Sequence, residues 1–228
     1  MHATKVVIAT RHNADDFFKK SATGLSLQKY QNLDIDIQLF TENKTGLPKI
    51  YNSIINESIN KNCNLIFMHD DIHIVDFHWI SRIDEGLKEF DFLGVAGCTQ
   101  RHPRQPSWFF KNDRFEKSAP ETLCGSVGHG KSCQDYSISQ YGPSKKHVKL
   151  LDGLILCANS AAFLNTGIRF DTQFDFHFYD LDICRQAEES NLKMGTWDIS
   201  LIHESGGNFN SESWQKSKEL YYKKWGEL

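Results

Sequence analysis

The chain reads as an α/β protein with a mostly parallel central sheet and helices on both faces. Three observations carry that reading. Residues 1–98 alternate β, α, β, α, β, α, β, the order expected of a sheet whose crossovers are helices. Within that stretch "DIDIQLF" (34–40) alternates strictly, with Ile35, Ile37 and Leu39 on one face, as a half-buried strand does. The segment after Pro48 instead repeats its apolar residues at helical spacing.

The elements follow in order. Val6–Ala9 is a short β-branched run that predicts a buried strand. After the Asp34–Phe40 strand, Pro48 opens a helix, where its missing N–H costs nothing. Ile50, Tyr51, Ile54, Ile55, Ser58 and Ile59 form its inward stripe. Asn64–Met68 predicts a strand ending at a carboxylate pair. Asp76 is expected to cap the next helix, whose apolar positions are Trp79, Ile80, Ile83, Leu87 and Phe90. Phe92–Gly97 is again strand-like. In such sheets ligands bind beyond the carboxyl ends of the strands. Residues 99–147 break the pattern: they hold Pro103, Pro106, Pro120 and Pro143, with glycines and mixed charge. They predict a long, loop-rich insertion in a single domain spanning 1–228, of the kind that carries function or mobility. Regularity resumes at "KLLDGLILCANSAAFL". A helix is expected over 180–190, a strand around Gly195–Ile202, and a final amphipathic helix capped by Ser211 and carrying Trp214, Leu220, Tyr221 and Trp225.

Composition narrows the function classes. The 228 residues carry a net charge of only −3, so no global basic field draws nucleic acid or anionic lipid. No apolar run approaches the ~20 residues of a membrane span. The N-terminal "MHATKVVIATRHN" has too short an apolar stretch for a signal peptide. These features predict a cytoplasmic protein. The six cysteines include no CxxC pair, and a disulfide framework does not suit a chain of this length and spacing.

"FMHDDIHI" (67–74) puts Asp70 and Asp71 side by side between His69 and His73. Adjacent carboxylates repel, so a cation or water is expected there. "GSVGHGKS" (125–132) fits the phosphate-loop pattern GxxxxGK[ST], and Lys131 would be its lysine. That loop needs a buried strand before it and a helix after it. Neither "RFEKSAPETLC" nor "CQDYSISQYGPS" supplies one. Cys124, His129 and Cys133 have no second cysteine pair and make a weak zinc pattern.

"FDFHFYDLDICRQAEE" (174–189) places Asp180 and Asp182 at a helix start. Two positions apart on a helix means about 200° around the axis, so both cannot face one ligand. One can sit in a cleft while the other favours the N-terminal dipole. Both can equally serve only to start the helix. "DISLIHESGG" (198–207) ends a strand with His203. Together the carboxylate pair, the acidic helix start and His203 suit one divalent cation plus one base.

These motifs, in this order, resemble the family 2 glycosyltransferases and their relatives, which have the Rossmann-like GT-A fold and use nucleotide-sugar donors. The resemblance covers approximately 4–100 and 148–210. "NLIFMHDDI" is similar to the strand and Asp-x-Asp-type motif that binds the metal–diphosphate. "FYDLDICRQAEESNLKMGTWDISLIHESGG" is similar to the acidic motif, helix, and strand ending in a metal-binding histidine. The resemblance implies Asp71 and His203 as ligands of Mn²⁺ or Mg²⁺ and Asp180 as the base. His69 stands where the first aspartate is usual, and Tyr179 where the base motif has glutamate. Thr10, Arg11, His69 and Asp70, with Asp152 and Gly153, would bind the nucleotide sugar and line the acceptor cleft.

The implied reaction is metal-dependent, inverting transfer of a sugar from a nucleotide-diphosphate donor to a glycan or other hydroxyl acceptor, in surface glycan or polysaccharide synthesis. Peripheral membrane association fits such a role, and nucleic acid does not. A non-catalytic sugar-binding module would need no base. A sugar nucleotidyltransferase would need a glycine-rich loop after the first strand, and "TRHNADDFFKK" has no glycine.

Overall fold

The computed structural model describes residues 2–207 and 209–226. The chain opens with β1 (Thr4–Ala9). Two short helices follow, α1 (Ala14–Lys20) and α2 (Ala22–Leu27), capped by the side chains of Asn13 and Ser21. Then come β2 (Asp36–Phe40), α3 (Leu47–Ser58) with Pro48 in its first turn, and β3 (Asn64–Met68), buried at every residue. The next elements are β4 (Ile72–Ile74), α4 (Trp79–Gly86), β5 (Phe92–Gly94) and β6 (Ala96–Cys98). β7 (Leu123–Ser132) and β8 (Asp135–Gly142) form a hairpin, followed by β9 (Leu150–Leu151), β10 (Ile155–Asn159) and α5 (Ser160–Thr166). The chain continues with α6 (Tyr179–Glu189), β11 (Met194–Thr196), β12 (Leu201–His203) and α7 (Glu212–Lys224).

The strands make two sheets. The first runs β11-β5-β10-β3-β1-β2. β1 pairs in parallel with β2 and β3, and β5 with β11, while β10 is antiparallel to both its neighbours. Helices cover both faces. Phe92 of β5 meets Phe163 of α5, with ring centroids 5.3 Å apart. The next residue, Leu93, points the other way, where a Cβ on Gly86 of α4 would come within 2.8 Å of it.

The second sheet runs β4-β12-β7-β6-β9, with β8 along the free edge of β7. It corrects three expectations. Phe92–Gly97 is not one strand: the chain changes sheet at Val95, so β5 and β6 belong to different sheets. The strand expected around Gly195–Ile202 divides in the same way into β11 and β12. The supposed loop-rich insertion contains the hairpin, and β7 pairs with β6, β12 and β8. Most of residues 123–142 is therefore ladder, not loop.

The hairpin also removes two candidate motifs. Gly125–Ser132 is strand, and its backbone is paired with β8 instead of being free to cradle a phosphate. Gly125 has φ +87°, and a Cβ there would meet the Val95 carbonyl at 1.9 Å, so the glycine serves a close sheet contact. Cys124 is the second residue of β7 and Cys133 follows its end, roughly 30 Å apart at strand rise, so no zinc ion joins them.

The helix starts are partly as expected. Ser211 Oγ accepts the Trp214 N–H at 3.2 Å and caps α7. Asp76 sits earlier than foreseen: His78 is the N-cap of α4, while Asp76 accepts the His78 N–H at 2.8 Å and pairs with Arg82.

Candidate active site

The turn at residues 69–71 is where the chain leaves β3 in the first sheet and enters β4 in the second. Thr23, fully buried on α2, pins this turn. Its hydroxyl donates to the His69 carbonyl at 2.8 Å and accepts the Ile72 N–H at 3.0 Å, and its own N–H reaches the Asp70 carbonyl at 3.2 Å. One helical turn on, Ser26 accepts the Ile74 N–H at 3.0 Å. The register pairs Ile72 with His203, the last residue of β12. Backbone pairing thus delivers His203 beside the carboxylates.

His69, Asp71 and His203 each offer one ligand atom, and these atoms all lie within 4.8 Å of one another. His203 Nε2 is 3.2 Å from Asp71 Oδ1, and His69 Nδ1 is 3.9 Å from the same oxygen. The 3.2 Å contact is close enough for attraction but is not aligned as a hydrogen bond, and Asp71 Oδ1 is buried without a hydrogen-bond partner. A buried carboxylate oxygen needs a positive partner, which a proton on His203 can supply and which a divalent cation could replace. Two imidazoles and a carboxylate are also a donor set that first-row divalent ions accept. On both grounds the residues fit a divalent cation. His69 was expected among the nucleotide-sugar contacts; the structure groups it with Asp71 and His203.

The electrostatics agree with the geometry. Burial alone would raise the Asp71 carboxyl, but His203, His69 and Ser205 reverse this and hold it well below the usual range. Burial alone would lower His203, but Asp71 and other carboxylates raise it above 6.5. His69 is held below 6.5, chiefly by burial.

Asp70 points elsewhere: its Oδ2 accepts from the buried Thr10 hydroxyl at 2.5 Å. Thr10 therefore does not line the cavity itself but holds the Asp70 carboxylate. Arg11 is exposed and does not line the cavity described next. His73 is on β4, where Nε2 bonds Glu204 Oε1 at 3.0 Å.

A cavity of about 560 Å³ opens over this turn. That lies within the usual size range of small-molecule sites. His69, Asp70, Asp71 and His203 line it together with Asp152, Gly153 and Asp180. Burial and the charge of Asp152 push the Asp180 carboxyl up to about 7, against backbone N–H groups, including that of Gly153, that favour the anion. A carboxylate so placed can accept a proton near neutral pH. Asp182 faces away, fully buried, bonded to Lys224 Nζ at 2.7 Å, Gln186 Nε2 at 2.7 Å and Trp225 Nε1 at 2.9 Å. It ties α6 to α7 and takes no part in the cavity.

Three wall components were not foreseen as site residues. Tyr179 joins His69 to Gly153 by hydrogen bonds. His129 and Tyr141, on β7 and β8, meet at 3.2 Å and bring the hairpin to the cavity. Aromatic rings from distant loops, among them Trp108, Phe110, Phe176 and Phe209, complete it. The sequence marks His129 only as part of a weak zinc pattern; pairing across the second sheet puts it in register with His203.

A mostly parallel sheet with donors clustered at a strand end, and a carboxylate lining the same cavity, can hold a charged ligand beside a base. The sequence pattern of a glycosyltransferase-like family matches residues 7–225. The chain belongs to that family, the family 2-like glycosyltransferases of GT-A fold. No curated protein matches it in sequence. The fold is similar to that of the catalytic domain of Drosophila β1,4-galactosyltransferase 7, solved with xylobiose. That likeness has a TM-score of 0.51 and 9% identity, over 96% of this chain and 80% of that one. It is also similar to GalNAc-T7 solved with UDP, GalNAc and Mn²⁺, with a TM-score of 0.52 and 10% identity, over 97% of this chain and 48% of that one. Among the described residues no helix is long and apolar enough to cross a membrane.

Proposed function

We propose that the protein transfers a sugar from a nucleoside-diphosphate donor to a hydroxyl acceptor with inversion, using a divalent cation held by His69, Asp71 and His203. The observation that carries this reading is the cation-shaped cluster and the Asp180 carboxyl opening on one cavity. A nucleoside diphosphate, a sugar and a divalent ion, the classes of group present in the GalNAc-T7 structure with UDP, GalNAc and Mn²⁺, suit that cavity. When bound, the cation stabilises negative charge growing on the departing diphosphate.

The chain's own residues do the rest. Asp180 takes the proton of the acceptor hydroxyl as its oxygen bonds to the anomeric carbon and the bond to the diphosphate breaks. Burial, with the charge of Asp152 beside it, keeps the Asp180 carboxyl near 7, so that it is basic enough to accept that proton and still ionised in part. Gly153 leaves room beside it: a Cβ would lie 2.9 Å from Asp180 Cβ. Aromatic walls reduce the water available to compete for the sugar.

The test is release of nucleoside diphosphate and transfer to glycan acceptors across a panel of UDP-, GDP- and dTDP-sugars with Mn²⁺. Turnover lost in Asp180→Asn supports the reading. Donor binding with no turnover in the unaltered protein would favour a non-catalytic sugar-binding module instead.

A further inference from the structure

Two hydrogen bonds on one phenol oxygen decide which nitrogen of His69 carries its proton. Tyr179 Oη lies 2.8 Å from the Gly153 carbonyl oxygen and 3.0 Å from His69 Nε2. A carbonyl oxygen only accepts, so the single phenolic hydrogen goes to Gly153, and the nearby Tyr51 hydroxyl can bond Tyr179 only as a donor. Tyr179 can then meet His69 only as an acceptor, and Nε2 must carry a hydrogen. In a neutral imidazole this leaves Nδ1 with a free lone pair. Nδ1 is the nitrogen on the Asp71 side.

The phenol is itself held in place. Tyr179 is buried at 2% exposure, its ring 5.9 Å from that of Tyr51 and 6.0 Å from that of Phe170. The preceding residue, Phe178, has φ +66°, a left-handed conformation that a bulky side chain rarely adopts. Its ring packs 5.4 Å from Trp214 and 5.3 Å from Tyr221, which holds the turn that aims Tyr179. Gly153 permits the approach, since a Cβ there would stand 2.8 Å from Tyr179 Oη.

We propose that Tyr179 is a positioning residue for the cation site: its hydroxyl locks His69 in the Nε2–H tautomer and presents Nδ1 to the ion shared by Asp71 and His203. The inference rests on the cation reading above and adds to it the group that prepares one ligand. Outer partners of metal-binding histidines act in this way elsewhere, and their loss weakens metal affinity by roughly 10–100-fold.

Two measurements test it. In metal-free, ¹⁵N-histidine-labelled protein, NMR should show His69 as the Nε2–H tautomer, its signal assigned through His69→Gln; an Nδ1–H tautomer or a mixture would overturn the proposal. Mn²⁺ binding is then read by electron paramagnetic resonance for the unaltered protein, Tyr179→Phe and Asp71→Ala. Tyr179→Phe should bind Mn²⁺ about 10–100-fold more weakly and lose the single tautomer. Asp71→Ala should bind little. Unchanged affinity in Tyr179→Phe, with loss in Asp71→Ala, would overturn the role of Tyr179 and leave the cation site standing. Absence of Mn²⁺ binding in the unaltered protein would overturn both.

Discussion

Asp71 Oδ1 and His203 Nε2 stand 3.2 Å apart, brought together by the pairing of β4 with β12, yet that oxygen has no hydrogen bond. Proton and metal ion compete for the same place. Because His203 is raised above 6.5, Mn²⁺ affinity should weaken as pH falls through that raised value. His203→Ala should remove this pH dependence and raise the Mn²⁺ requirement for transfer by more than about tenfold, since losing even an outer partner of a ligand costs that much. Titrating Mn²⁺ against activity at several pH values checks both. An unchanged requirement would take His203 out of the site.

The metal-free protein should respond to pH in the opposite sense. A raised His203 contributes stability that is fully present below about pH 6.5 and is lost as pH rises through its folded value. Melting temperature without metal should therefore fall between pH 6 and 8. Added Mn²⁺ should restore it, and more so at pH 8 than at pH 6. Differential scanning calorimetry with and without the ion reads this directly; equal gains at both pH values would contradict it.

Asp180 should separate chemistry from binding. Asp180→Asn keeps the shape but cannot take a proton, so transfer should drop by about 10²–10⁴-fold while donor affinity changes little. In the unaltered enzyme kcat/KM should climb roughly tenfold per pH unit up to about 7 and level off above. Stability follows the other sign: a carboxyl raised to about 7 makes the fold lose stability as pH rises from its unfolded value towards 7. Asp180→Asn should then melt higher than the unaltered protein at pH 8. A variant that keeps its transfer rate would place the base elsewhere.

Asp182→Ala should do the reverse. Removing a buried partner of Lys224 and Trp225 should destabilise the fold by about 3–5 kcal/mol, read by denaturant unfolding. Lys224 keeps Asp171 at 2.7 Å, which argues for the lower end of that range. The folded fraction should retain its turnover per molecule. Loss of turnover equal to that of Asp180→Asn would show that the two aspartates are not divided as described.

The first sheet was legible because its strands announce themselves. β3 is apolar from Leu65 to Met68, and α3 has a proline in its first turn and a clean helical stripe. The second sheet was not. β6, β9 and β12 are two or three residues long, and β7 carries Gly125, Gly128 and Gly130, which read as loop. The antiparallel sense of β10 left no local mark either. At the site, Asp180 and Asp182 could be assigned to different faces from spacing alone. His69 and Tyr179 looked like two unrelated departures from the family pattern, and only their 3.0 Å hydrogen bond makes them one arrangement. Thr23 gave no signal, because a threonine in a short helix does not show that its hydroxyl holds a distant turn.

The most direct test of the cation-dependent donor site is calorimetric titration of nucleotide sugars into the protein with Mn²⁺ and with a chelator. One donor should bind in Mn²⁺, its affinity should fall below detection in chelator, and Asp71→Ala should abolish binding under both conditions. A donor that binds equally well in chelator, or in Asp71→Ala, would contradict it.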